Sequence, residues 1–168
     1  MDDLFKVEEK KRGINFVLIG GIIVGMALIA GAIYLLSLKP SMEAQTARIL
    51  EGSYREGSPE FGAITKDIII STDENTVESP TGLGTISMYI GGKIYNKGAK
   101  KITTLEVNVA VIDRKNAVLR EKKIVVVPVQ QAALEPGQTI PITLTLDGFE
   151  RSDDRANIRW KVTAIKTN

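Results

Sequence analysis

The sequence predicts a single-pass membrane protein in which one transmembrane helix precedes an all-β domain with two packed antiparallel sheets. Three observations predict this class. Residues 13–38 form an apolar run without a formal charge, and about 20 such residues suffice for a helix to cross the bilayer hydrocarbon. The second half of the chain alternates apolar and polar residues, which is the period of a half-buried strand. Turn-forming residues separate these alternating segments, as is typical of a sandwich.

The run at residues 13–38 is interpreted as a transmembrane helix that stays in the protein. The apolar region of a cleaved signal peptide, the alternative interpretation, is shorter, at about 7–15 residues. Four basic residues lie within residues 1–12, and three of them adjoin the span. Because Lys and Arg near a span favour the cytoplasmic side, residues 1–12 are predicted to be a cytoplasmic tail. The protein is then predicted to lie in the cell membrane, with residues 39–168 on the periplasmic or extracellular side.

Small residues in the span suggest a face that packs against another helix. Gly21 and Gly25 form a G-x-x-x-G pattern, and Ala27 and Gly31 repeat its spacing. Small side chains let two helices approach closely, so these four residues are candidates for helix packing. The alternative is that glycine is simply common in membrane helices.

Residues 39–62 are predicted to connect the span to the β domain as a stalk and linker. Residues 41–51 are good helix formers, and the Gly, Ser and Pro content of residues 52–62 indicates a linker. The β domain is then predicted at residues 63–168.

Alternation predicts the strands of that domain. Pro141 lies on the polar side of its strand, which favours an edge position or a bulge because proline cannot donate to a ladder. Trp160 lies on the apolar side of its strand and is expected to fill the core. Strands are predicted within residues 64–71, 85–95, 104–111, 122–129, 139–146 and 158–164.

The segment at residues 124–127 is apolar at four consecutive positions. In a regular strand only one face of such a segment can point into the core, so the other face needs a cover. Val125 and Val127 are therefore predicted to contact a partner, since open apolar edges are normally protected. The alternative is that the loop at residues 130–133 covers the strand.

Composition excludes several kinds of chemistry. The chain contains no Cys and no His, which excludes Cys/His zinc sites, iron–sulfur clusters and Ser-His-Asp triads. The acidic pairs Asp73-Glu74 and Asp153-Asp154 lack the spacing of a calcium loop. The net charge of +2 gives no footprint for nucleic acid. We therefore expect no enzymatic activity, no cofactor, no metal and no nucleic-acid partner.

Three motifs occur in a familiar order. Gly92-Lys-Ile-Tyr-Asn96-Lys-Gly98 resembles the G-x-V-x-N-x-G segment of FxLyD-type domains, and Leu134-Glu-Pro-Gly137 resembles their L-x-P-G turn. Val109-Ala-Val-Ile-Asp113 stands at the place of F-x-L-Y-D, with Val109 for Phe and Ile112 for Tyr. The resemblance covers residues 85–165. It implies an immunoglobulin-like or fibronectin III-like β-sandwich in a prokaryotic cell-envelope protein, and it implies no catalytic residue.

The motif residues suit turns. Asn96 and Gly98 tolerate left-handed backbone, and the carboxylate of Asp113 can accept hydrogen bonds from its own turn.

The predicted architecture is that of a non-catalytic accessory or structural subunit of a membrane protein complex. Its span would lie in the lipid bilayer beside other membrane subunits, such as those of a respiratory or photosynthetic complex. Its sandwich would dock an extracytoplasmic partner. The alternative function is a membrane-tethered binding module for a soluble ligand or an envelope polymer.

Overall fold

The computed structural model describes residues 16–38 and 41–168. The predicted cytoplasmic tail at residues 1–12 lies outside them. The chain divides into two compact units, with the boundary after Met42. The first unit contains helix α1 (Phe16–Ser37), whose 22 residues carry no charge. This helix is long and apolar enough to cross a membrane.

The second unit begins earlier than the predicted boundary at residue 63. It starts at Glu43 and takes in most of the predicted stalk and linker. Within that stretch lie α2 (Met42–Ile49), β1 (Tyr54–Arg55) and α3 (Pro59–Thr65).

The residues that indicate a linker instead serve as turns and caps. Gly52 and Gly57 have positive φ values of 70° and 98°, which glycine adopts without strain. Ser58 caps α3 by accepting a hydrogen bond from the Phe61 N–H at 3.2 Å, and Pro59 occupies the first turn.

Two antiparallel sheets make up the rest of the unit. The strands are β2 (Ile68–Thr72), β3 (Val77–Pro80), β4 (Ile86–Asn96), β5 (Ile102–Ile112), β6 (Val118–Val127), β7 (Thr139–Phe149) and β8 (Asn157–Thr167). In the first sheet the strand order is β1-β8-β5-β6. In the second sheet β2 and β3 pair one after the other along one edge of β4, and β7 pairs with the opposite edge.

The predicted strand at residues 64–71 starts too early. Ile64 belongs to α3, and its side chain packs against the core from there. The prediction assigned Ile64 to the strand because it is apolar and close in sequence to β2, although it belongs to α3.

One core lies between the sheets. Alternation along β7 shows how it forms: Ile140 and Ile142 are buried, whereas Thr139, Pro141 and Thr143 face solvent. Hydrophobic burial of this kind contributes roughly 25 cal/mol per Å² of apolar surface. The largest fully buried side chains are Phe149, Ile90, Ile94, Ile102, Leu105, Leu134, Ile140, Ile142, Ile165, Val107, Val109 and Val111.

Trp160 packs against the rim of this core and is half-buried. Its indole Nε1 donates a hydrogen bond to Thr72 Oγ1 at 2.9 Å. The ring lies against Gly92, where an added Cβ would come within 2.9 Å of both the Trp160 ring and the Ser71 carbonyl oxygen. Gly92 is therefore needed for space between the two sheets.

Asn96 joins three backbone segments from a buried position. Only 1% of it is exposed. Its Nδ2 donates to the carbonyl oxygens of Lys100 and Glu135 at 2.8 and 3.2 Å, and its Oδ1 accepts from the Gly98 N–H at 3.0 Å. The left-handed backbone that Asn96 and Gly98 tolerate is not used here, because neither has a positive φ. Asn96 is instead used for its amide. Gly98 is used for its size, since a Cβ there would lie 3.2 Å from Asn96 Oδ1.

The other motif residues form turns as predicted. Asp113 Oδ1 accepts from the N–H groups of Lys115 and Ala117, each at 2.8 Å, and Asn116 adopts a φ of 64°. Gly137 has a φ of 72° in the turn that the Gln138 N–H closes onto the Glu135 carbonyl.

Candidate docking surfaces

The small residues of α1 lie on an open helix surface. A methyl group added at Gly21, Gly25 or Gly31 would meet no atom within 4 Å in the part of the chain that the structure describes. Ala27 is also exposed. The four candidates thus leave room for a neighbouring helix to approach, which is the geometry that small-residue packing requires.

The prediction that Val127 contacts a partner is wrong. Both Val126 and Val127 have no exposed surface, and both belong to the core. The register explains this: Leu105 pairs with Val127 but Glu106 pairs with Val125, so β6 carries one extra residue here. Such a bulge breaks the alternation of faces. Val125, the other candidate, is half-buried and keeps some surface.

The corner between β6 and β7 is closed by side chains of the domain itself. Arg120, Lys122 and Gln130 donate to the carbonyl oxygens of Gly148, Thr145 and Thr143, at 2.6, 3.4 and 2.9 Å. The Gln130 Oε1 also accepts from the Thr143 N–H at 3.1 Å. These contacts protect the open edge of β7.

The hydrogen bond between the Thr143 N–H and Gln130 also shows which way the backbone nitrogen of Pro141 points. Because Thr143 directs its N–H away from β4, Pro141, two residues earlier in the same strand, directs its nitrogen the same way. The missing N–H of the proline therefore costs the ladder nothing, in agreement with the predicted edge position.

A second apolar surface lies on the outer face of the β2/β3–β4–β7 sheet. We call it the tyrosine face and define it by Ile69, Val77, Tyr89, Tyr95 and Pro141. The strand register pairs Ile69 with Tyr95 and Val77 with Tyr89. Among Ile69, Val77 and the two tyrosines, exposure runs from 37% at Tyr95 to 54% at Val77, and Pro141 is also exposed.

Polar groups lie both around and within the tyrosine face. Thr139 pairs with Tyr95, and Thr145 pairs with Tyr89. Between the two tyrosines, the Lys93 ammonium lies 3.5 Å from the Asp73 carboxylate. Tyrosine is enriched at protein–protein interfaces, which also contain polar groups, so this mixed surface is a candidate interface.

The sequence contained a signal for this face. Ile68, Ile69 and Ile70 are consecutive, and the outer two pack against the core. Ile69 therefore has to point outward by the same argument that was applied to residues 124–127. That argument holds for β2 because its pairing with β4 is regular.

The acidic residues of the loops have structural partners. Asp153 Oδ2 accepts from the Glu150 N–H at 2.7 Å, and Asp73 Oδ1 accepts from Asn75. Glu78 binds Arg155 through both of its carboxylate oxygens, each at 3.0 Å. This hydrogen-bonded pair raises the pKa of Arg155 above its ordinary value.

A shallow cleft of about 240 Å³ lies between α3 and the β4–β5 loop. Its walls include Ala63, Ile64 and Ala99, together with Asn96. The Asn96 amide already donates its hydrogen bonds within the domain, so the cleft offers a ligand mostly apolar surface.

No protein-family model and no curated protein matches the chain. A solved structure of the ApaA protein from Bordetella pertussis is similar to it, with 21% sequence identity and a TM-score of 0.36. The similarity covers 48% of this chain and 67% of that chain. Similarity of this extent gives no information about function.

Proposed function

We propose that the chain is a non-catalytic accessory subunit of a membrane protein complex. In this proposal α1 anchors the protein as its single transmembrane helix, and the β domain docks a partner outside the cytoplasm through the tyrosine face. The observation that carries the proposal is an exposed face with two tyrosines and two further large apolar side chains, on a chain that also has a helix long and apolar enough to cross a membrane. The basic residues ahead of the helix support a cytoplasmic N-terminus.

The strand order supports an immunoglobulin-like or fibronectin III-like sandwich. β4 and β7 lie in one sheet, while β5, β6 and β8 lie in the other. From β4 onward the chain changes sheets after β4, after β6 and after β7. This is how strands B, C, C′, E and F follow one another in immunoglobulin folds.

Extraction with a mild detergent, followed by native mass spectrometry, tests the proposal. We expect the protein in a complex of defined mass well above the 18.3 kDa of the chain. Replacing both Tyr89 and Tyr95 with lysine should remove the partner, because each substitution takes away aromatic contact area and adds a charge that docking would have to desolvate.

Val118→Lys is the matched control, since Val118 is exposed on β6 of the other sheet. This variant should keep the complex. Migration of the unmodified protein as a lone monomer would contradict the proposal and would favour a tethered binding module.

The helix face is tested separately. Replacing Gly21 and Gly25 with leucine should weaken association at least several-fold, because two leucines prevent close approach of a neighbouring helix. Met26→Leu combined with Ile33→Leu, on the side of the same helix away from the small residues, is the control and should leave association unchanged. The measurement is the fraction of chain that remains in the complex as detergent is increased. Equal retention of the glycine variant would exclude this face from assembly.

A further inference from the structure

The cleft between α3 and the β4–β5 loop has the lining of a small-ligand site. Its walls include Ile64, which is half-buried, and Ile102, which is only 1% exposed. Ala63, Gly98 and Ala99 also line it, and their small size keeps it open. Concave, mainly apolar sites with a few polar groups are the usual form of a binding pocket. At about 240 Å³ the cleft suits an occupant smaller than a drug-sized ligand.

Two opposite charges line the same cleft. Asp67 is half-buried and Lys100 is exposed. In the part of the chain that the structure describes, neither residue belongs to an ion pair. Hydrogen bonds hold the backbone of both: the Asp67 carbonyl accepts from the Lys97 N–H, and the Lys100 carbonyl accepts from Asn96 Nδ2, each at 2.8 Å. The cleft therefore offers a ligand one carboxylate and one ammonium group on a fixed backbone.

Two oxygen atoms converge beside Gly98. A Cβ added to Gly98 would lie 3.2 Å from Asn96 Oδ1 and 3.4 Å from Asp67 Oδ2. Asn96 Oδ1 accepts a hydrogen bond from the Gly98 N–H, and an amide oxygen can accept two. An ammonium group has three donors. One that enters the cleft beside Gly98 can therefore bond to both oxygens.

The neighbouring charges favour a ligand that carries both signs. Lys66 directly precedes Asp67, and Lys97 and Lys100 lie on the β4–β5 loop. A bare cation at Asp67 would be repelled by these lysines, and a bare anion at Lys100 would be repelled by Asp67. A zwitterion avoids both penalties, because its ammonium can bind Asp67 while its carboxylate binds Lys100.

We propose that this cleft binds a small apolar amino acid in its zwitterionic form. The ammonium would bond to Asp67 and to Asn96 Oδ1, and the carboxylate would bond to Lys100. The aliphatic side chain would lie against Ile64 and Ile102. The cleft shares no lining residue with the tyrosine face, and ligand binding there requires no partner subunit. The inference therefore goes beyond the proposed function, and either can fail without the other.

A titration with L-leucine tests the proposal on the full chain in detergent micelles. The measurement is the change in the amide chemical shifts of Gly98 and Ala99, which line the cleft. We expect a saturable change with a dissociation constant of roughly 1–10 mM, because so small a ligand has little surface to bury.

Two analogues of leucine separate its charges. Isoamylamine is leucine without the carboxylate, and isocaproate is leucine without the ammonium. Each should bind about tenfold more weakly than leucine, because each loses a hydrogen bond to a charged group.

Two substitutions assign the charges to residues. Asp67→Asn should weaken leucine binding about tenfold without weakening isocaproate, and Lys100→Gln should weaken leucine about tenfold without weakening isoamylamine. Lys115→Gln is the matched control, since Lys115 is exposed in the β5–β6 turn. This variant should leave all three affinities unchanged.

A third substitution fills the cleft. Ala99→Leu should prevent leucine binding, as followed by the Gly98 amide, because the larger side chain occupies the space of the ligand. Ala132→Leu makes the same change at an exposed position of the β6–β7 loop and should have no effect.

Four results would overturn the proposal. The first is no saturable shift at leucine concentrations well above the expected dissociation constant. The second is equal binding by either analogue, which would show apolar adsorption without charge recognition. The third is unchanged binding by the Ala99→Leu variant, which would place the ligand elsewhere. The fourth is binding of leucyl-glycine as tight as that of leucine, which would make the N-terminus of a polypeptide the ligand.

Discussion

Placing arginine at both Val24 and Leu28 is expected to release the protein from the membrane. The two residues lie near the middle of α1, four positions apart on one face, and are 59% and 70% exposed. An arginine at the centre of a transmembrane helix costs about 2.5–3.5 kcal/mol. The double variant should therefore lose about 5–7 kcal/mol of insertion free energy.

The measurement is partition between the pellet and the supernatant after an alkaline carbonate wash. Val24→Leu combined with Leu28→Ile keeps the helix apolar and should stay in the pellet. If the arginine variant also stays there in full, the chain is held by something other than insertion of α1.

Replacing Asn96 with aspartate is expected to lower the free energy of unfolding of the β domain by about 3 kcal/mol. The substitution keeps the shape of the side chain but replaces the Nδ2 donor with an acceptor. The carbonyl oxygens of Lys100 and Glu135 lose their hydrogen-bond donor. A new carboxylate oxygen then faces them in a buried site, where each unsatisfied group costs about 1–3 kcal/mol.

Denaturant unfolding of the full chain, followed by Trp160 fluorescence, measures the change. Asn116→Asp makes the same chemical change in an exposed turn with a φ of 64°. Aspartate tolerates that conformation, so this control should lie within about 0.5 kcal/mol of the unmodified protein. Equal stability of the two variants would show that the Asn96 amide does not hold the three segments together.

Regular periodicity made much of this fold predictable. The apolar run gave α1, and β7 alternates over its length with Ile140 and Ile142 inside and threonines outside. The predicted turns at Asp113 and Gly137 also formed, because their residue types satisfy local geometry without help from distant contacts.

Departures from regularity were not predictable. The bulge that buries both Val126 and Val127 depends on how β6 meets β5, and no pattern within β6 encodes that register. In the same way, the glycines and proline before Ile64 form caps and turns only because α3 packs against the domain. The candidate docking face therefore lies on β2, β3, β4 and β7, and not on β6, where the sequence predicted it.

The pairing of β1 with β8 has a consequence for biogenesis. Tyr54 and Arg55 are synthesised well before their partners Ile165 and Ala164. During translation β1 has no strand to pair with until β8 has been synthesised. The first sheet is then completed in a single late step, and a nascent chain stalled before residue 164 would leave that segment unpaired and open to chaperones or proteases.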